Sequence, residues 1–191
     1  ALLDAGWLDS AETIQRDILA HFQHSREITD AVLARRVLAS IAMIRGDLAT
    51  AGRELDVADS VVRQHHIPGA VMTLRYDRAR LERLRGHDAA ATTLLNRYLA
   101  DLRTDDGVAR WDVQVRLAEI EARTGDAAHA AARLANATEG LELWRAAQSD
   151  STIRLLAFQT SAYEEGDRDA YFARAIAALA ARGQQAAAFE Q

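Results

Sequence analysis

Five glycines, Gly6, Gly46, Gly86, Gly125 and Gly166, divide this 191-residue chain at successive intervals of 40, 40, 39 and 41 residues. Alanine follows each of the first four at the same distance (Ala11, Ala51, Ala91, Ala130), and aspartate follows three of the five directly (Asp47, Asp126, Asp167). A fixed period of about 20–50 residues requires stacked copies of one supersecondary unit, each burying a face that it cannot bury alone. Such a body grows by addition and needs no single central core, so length does not set the number of domains. Residues 1–191 are read as a single helical-repeat array.

The repeating unit is helical. After Gly46 the apolar residues fall at steps of three and four (Leu48, Ala51, Leu55, Ala58, Val62), and after Gly125 they do so again (Ala127, Ala130, Leu134, Ala137, Leu141, Trp144). That spacing marks one apolar stripe on a 3.6-residue helix. The segment before Gly125 carries two stripes, Val108, Trp111, Val115, Ala118, Ala122 and Val113, Leu117, Ile120, which predicts a helix covered on two sides. A single proline, Pro68, and abundant alanine agree with an all-α chain, because alanine is the best helix former and proline the worst. Each glycine is read as the turn of a helical hairpin, where a positive φ ends one helix and the following aspartate caps the next. Breaks between hairpins are predicted at His24-Ser25, Ile67-Pro68-Gly69, Asp105-Asp106-Gly107 and Ser149-Asp150-Ser151. The predicted helices run over 8–23, 26–45, 47–66, 69–85, 87–104, 107–124, 126–148, 151–165 and 167–182.

Composition narrows the chemistry. A formal charge of −5 disfavours nucleic acid, whose binding needs a basic surface to replace counterions. All 23 basic residues are arginine, as G+C-rich codons would give, which suggests a bacterial source. The absence of cysteine removes disulfides, thiolate metal sites and a cysteine nucleophile from this chain. No apolar run approaches the roughly 18 residues of a membrane span, so no membrane association is expected and a cytoplasmic location is. His21 with His24, and His65 with His66, lack the carboxylate partners of a bundle metal site, and histidine near a helix C-terminus is favoured by the macrodipole alone. No Gly-x-Ser-x-Gly elbow and no glycine-rich phosphate loop occur. No catalytic residue, cofactor or metal is assigned, and any catalytic domain is expected outside this chain.

The pattern Leu38, Ala39, Gly46, Ala51, Leu55, Ala58, repeated as Leu117, Ala118, Gly125, Ala130, Leu134, Ala137, resembles the tetratricopeptide (TPR) signature of small and large residues at a helix crossing. The third unit departs from it at Arg78 and Tyr98, and the first at Gln15. The resemblance implies a right-handed superhelical solenoid of antiparallel hairpins, here with a period near 40 where the basic TPR has 34. It implies an inner, partner-binding face on the first helix of each hairpin. By the glycine register that face takes Arg36 and Ser40; Tyr76, Arg80 and Arg83; Asp112, Arg116 and Glu119; and Ile153, Leu156 and Tyr163. Its arginines could grip the carboxylates of an acidic protein or peptide segment, or of a neighbouring domain. Glutamate at positions 80 and 83 is expected to weaken capture without unfolding. The lysine-and-asparagine clamp of chaperone-binding TPR domains is not reproduced.

The tail from Tyr171 to Gln191 is similar to the segment that leads into the caspase-like protease domain of bacterial CHAT proteins, in which a TPR region precedes the catalytic domain. That similarity implies a regulatory or sensing region within a longer protein. The alternative is the effector-binding or partner-binding repeat region of a large bacterial transcriptional regulator, and a small-molecule-binding or metal-containing helical bundle enzyme remains as a third class. Trp7, Trp111 and Trp144 are read as packing between hairpins.

Overall fold

The computed structural model describes residues 5–22, 28–104, 106–147 and 176–177, and every regular element among them is an α-helix: α1 (Ala5–Phe22), α2 (Ile28–Ile44), α3 (Leu48–His65), α4 (Pro68–Leu84), α5 (Asp88–Asp101), α6 (Gly107–Thr124) and α7 (Ala127–Ala147). The chain divides into two compact units, Ala1–Leu94 and Leu95–Gln191, with the division inside α5.

Three of the glycines are the predicted turns. Gly46, Gly86 and Gly125 have φ of 77°, 81° and 112°, in the left-handed region that a Cβ opposes. In each case the next residue donates its N–H to a carbonyl five residues back: Asp47 to Ala42 at 2.9 Å, His87 to Glu82 at 2.9 Å, and Asp126 to Glu121 at 2.9 Å. These bonds satisfy carbonyls that the ending helix would otherwise leave unpaired. Asp47 then starts α3 by accepting the Thr50 N–H at 2.9 Å, and Asp126 accepts that of His129 at 3.3 Å. Gly6 is different: it lies in the first turn of α1 and is not a hairpin turn. The predicted turn at Gly166 and the breaks at His24-Ser25 and Ser149-Asp150-Ser151 lie outside the described residues.

The break between α3 and α4 is built without glycine at its bend. His66 adopts φ 52°, ψ 56°, with its N–H on the Val62 carbonyl, and Pro68 opens α4, where its missing N–H and fixed φ cost nothing.

In the first unit α1 packs on α2, α2 on α3, and α4 on both α3 and α2. The α1–α2 contact buries Leu19, Ala34 and Leu38. A larger cluster, including Ala39, Ala51, Leu55, Ala58, Val62, Leu74 and Leu81, joins α2, α3 and α4. Full burial of a leucine such as Leu55 contributes about 2 kcal/mol, while the alanines let the helix backbones approach. At the outer edge Arg45 pairs with Asp9 and Glu12 of α1.

In the second unit α6 and α7 pack through Trp111, Val115, Ala118 and Ala122 against Ala127, Ala130, Leu134, Ala137 and Leu141. The other α6 stripe, Val113, Leu117 and Ile120, is buried as well, as its double patterning predicts. Arg133 of α7 brackets the hairpin by donating from Nε and Nη2 to the Glu121 carboxylate at 2.7–3.0 Å. Trp111 and Trp144 belong to this packing, whereas Trp7 is 73% exposed, which does not fit the packing expected of it.

Candidate functional site

The predicted inner-face residues of the first unit converge where α2 meets α4. Arg36 on α2 donates its Nε–H to Asp77 Oδ2 on α4 at 2.5 Å, and Arg80 on α4 donates from Nη1 to Ser40 Oγ on α2 at 3.2 Å. Both contacts join residues about one repeat period apart, 41 and 40 positions, so the sequence ladder recurs as contact between alternate helices, α2 and α4. Asp77 was not among the residues read from the sequence. It is the carboxylate of the cluster, bonded to Arg36 and 3.7 Å from Arg80 Nη1. Two guanidinium groups therefore share one carboxylate.

The cluster is not an open face. The Arg80 side chain is 4% exposed, and its Nε and Nη2 are buried with no hydrogen-bond partner. Ser40 and Tyr76 are buried too, Arg36 keeps 25% of its side chain exposed, and Arg83 is half-buried. The expectation that glutamate at position 80 leaves the fold intact is therefore overturned: it would set a second carboxylate beside buried Asp77, and like charges in a low dielectric repel strongly.

In the second unit Asp112, Arg116 and Glu119 lie on α6 and are likewise buried, where the sequence places an accessible face. Arg116, 1% exposed, forks onto Asp112 one turn earlier, from Nε to Oδ2 at 3.0 Å and from Nη2 to Oδ1 at 3.3 Å. The bidentate geometry fixes both side chains, and in a burial this deep the attraction roughly offsets the desolvation of the two charges. Tyr163, with Ile153 and Leu156, lies outside the described residues.

A cavity of about 630 Å³ opens in the second unit between the start of α6 and the end of α7, with Trp111 and Trp144 in its wall. No sequence motif pointed to it. Its origin is steric: a Cβ at Gly107 would lie 2.2 Å from Trp144 Cγ, so glycine at the start of α6 is what lets the indole lie there.

Among the described residues no three or more His, Asp or Glu side chains gather as a metal site would require, and no helix is long and apolar enough to cross a membrane. No protein-family model, curated protein or solved structure matches this chain.

Proposed function

We propose that this chain is a non-catalytic protein-interaction scaffold, a TPR-like superhelical array that holds an acidic segment of a partner or neighbouring domain and works in the cytoplasm. The observation that supports it is the α2–α4 cluster. Arg36 and Arg80 carry two permanent positive charges against the single carboxylate of Asp77, and Arg80 keeps the Nε–Nη2 edge unpaired. That positive excess is buried at Arg80 and reaches the surface only through Arg36, so a partner's carboxylate would meet it there and offset it through space. Arg36, the exposed member, gives such a segment its first contact.

Fluorescence anisotropy with a labelled Glu/Asp-rich dodecapeptide, its Gln/Asn counterpart and an Arg-rich one tests this reading. The acidic peptide should bind best and weaken with salt, and Arg36→Met should cost about tenfold, roughly 1.4 kcal/mol. Equal binding of acidic and neutral peptides, or an Arg36→Met variant that binds as well as the parent, would overturn it.

Within that function we assign the chain to the regulatory or sensing region of a CHAT-type, caspase-like protease, on the similarity of the Tyr171–Gln191 segment. The coding sequence that follows tests the assignment. A domain with the protease's His and Cys supports it, a helix-turn-helix domain supports the transcriptional-regulator alternative, and an immediate stop codon overturns both.

A further inference from the structure

The cavity between α6 and α7 is independent of the α2–α4 cluster and has the size of a small-ligand site, which typically measures roughly 300–1,000 Å³. Its wall combines the indoles of Trp111 and Trp144 with Arg110, Gln114 and Thr104, and among the described residues includes no acidic one. Arg110 is held by the chain before it. Its Nη1 donates to the carbonyls of Leu99 and Leu102 at 3.4 and 3.3 Å, which ties the guanidinium to the end of α5. The Nε–Nη2 edge makes no hydrogen bond or ion pair among the described residues, so the fork is both anchored and unused.

We propose that this cavity binds a small aromatic monocarboxylate, with its carboxylate on the Nε–Nη2 edge of Arg110 and its ring against the two tryptophans. Each part of the wall selects for that chemistry. A cation would meet Arg110 and, among the described lining residues, no carboxylate to balance it. A polyphosphate would meet a single arginine in a chain of net charge −5. A neutral hydrocarbon would leave Arg110 and Gln114 covered and unpaired, which costs more than the indole contact gains. A planar acid satisfies the fork and stacks its ring on indole.

Gly140 of α7 supplies a test. It lines the cavity, and a Cβ built on it meets nothing within 4 Å, so a larger side chain has room to start there and is expected to fill part of the cavity. Isothermal titration of the whole chain with 1-naphthoate, 1-naphthamide and 1-naphthylmethylamine reads the chemistry. Naphthoate should bind at least tenfold more tightly than the amide, and the amine not at all. Gly140→Leu should abolish naphthoate binding while its melting temperature stays unchanged or rises. Arg110→Lys, which keeps the charge but loses the fork, should bring naphthoate to the level of the amide. No naphthoate binding at millimolar concentration by the folded parent chain, equal binding of acid and amide, or full binding by Gly140→Leu would each overturn the proposal. None of these measurements involves Arg36 or Arg80, so their failure leaves the acidic-segment reading untouched, and the reverse also holds.

Discussion

Arginine cannot lose its proton in a protein, so a buried guanidinium must find partners or carry the cost of lacking them. Arg80 carries that cost, with two buried donors unpaired, whereas Asp77 offsets it in part by serving Arg36 and Arg80 together. The two residues should therefore respond oppositely to substitution. Arg80→Met, of similar length and uncharged, should leave stability unchanged or raise it by about 1 kcal/mol, because it removes the unmet donors and leaves Asp77 with Arg36. Asp77→Asn should lower stability by about 3 kcal/mol, because it leaves two guanidinium groups with no anion. Urea unfolding followed by circular dichroism measures both, and a strong loss in Arg80→Met would show that the charge is fully compensated. The sequence placed Arg36, Ser40 and Arg80 on one face through the glycine register. It did not place Asp77, although its position 41 residues after Arg36 is one period plus one. Charge on a helix looks the same whether that face meets water or another helix, and only packing distinguishes them.

At the level of the element, helices and turns were legible because their causes are local. Period-3.6 apolar stripes located α2 to α7 to within a few residues, and glycines with positive φ marked three helix-ending turns, those at Gly46 and Gly125 between helices that pack on each other. Gly6 shares the spacing but not the role, since α1 begins one residue before it. Spacing alone does not reveal φ. Two glycines with equally open surroundings separate the effects. Gly46 and Gly69 each have nothing within 4 Å of a Cβ, but Gly46 has φ 77° and Gly69 sits in the first turn of α4. Gly46→Ala should cost about 1 kcal/mol, through backbone strain alone, and Gly69→Ala should gain about 0.5–1 kcal/mol from helix propensity and reduced freedom of the unfolded chain. Thermal melts compare the pair, and shifts of the same sign would contradict the account. The last predicted helices, over 151–165 and 167–182, lie outside the described residues apart from the helical pair 176–177.

Across the whole molecule, carboxylates at helix ends and outer edges tie stability to pH. Hydrogen bonds from Arg45 and then Arg16 hold the Glu12 carboxyl below its usual range. Burial pushes Glu82 upward, but hydrogen bonds from His87 and Arg85 outweigh it and the net direction is down. Asp47 is lowered by bonds from the Thr50 side chain and N–H, and Asp126 by His129. A carboxyl whose folded pKa lies below its unfolded one stabilises the fold above the unfolded value, near 4, and loses that contribution as pH falls through the folded value. All four act in the same direction. The melting temperature should therefore fall progressively between about pH 5 and pH 3, and Glu12→Gln should flatten part of that fall. A melting temperature constant over that interval would remove these carboxylates from the account.

What the sequence determined by itself was the succession of helices among the described residues, the turns at Gly46, Gly86 and Gly125, and the double-sided burial of α6, each dictated by residues within a turn or two of one another. The tertiary structure decided whether a marked residue faces solvent or a neighbour. Arg36 reaches Asp77, and Arg80 reaches Ser40, only because α2 and α4 pack across a full repeat. The cavity at Trp111 and Trp144 depends on α6 and α7 meeting with glycine at 107, where a Cβ would run into the Trp144 indole. Periodicity is a property of neighbours along the chain, whereas burial and cavities depend on residues that folding alone brings together.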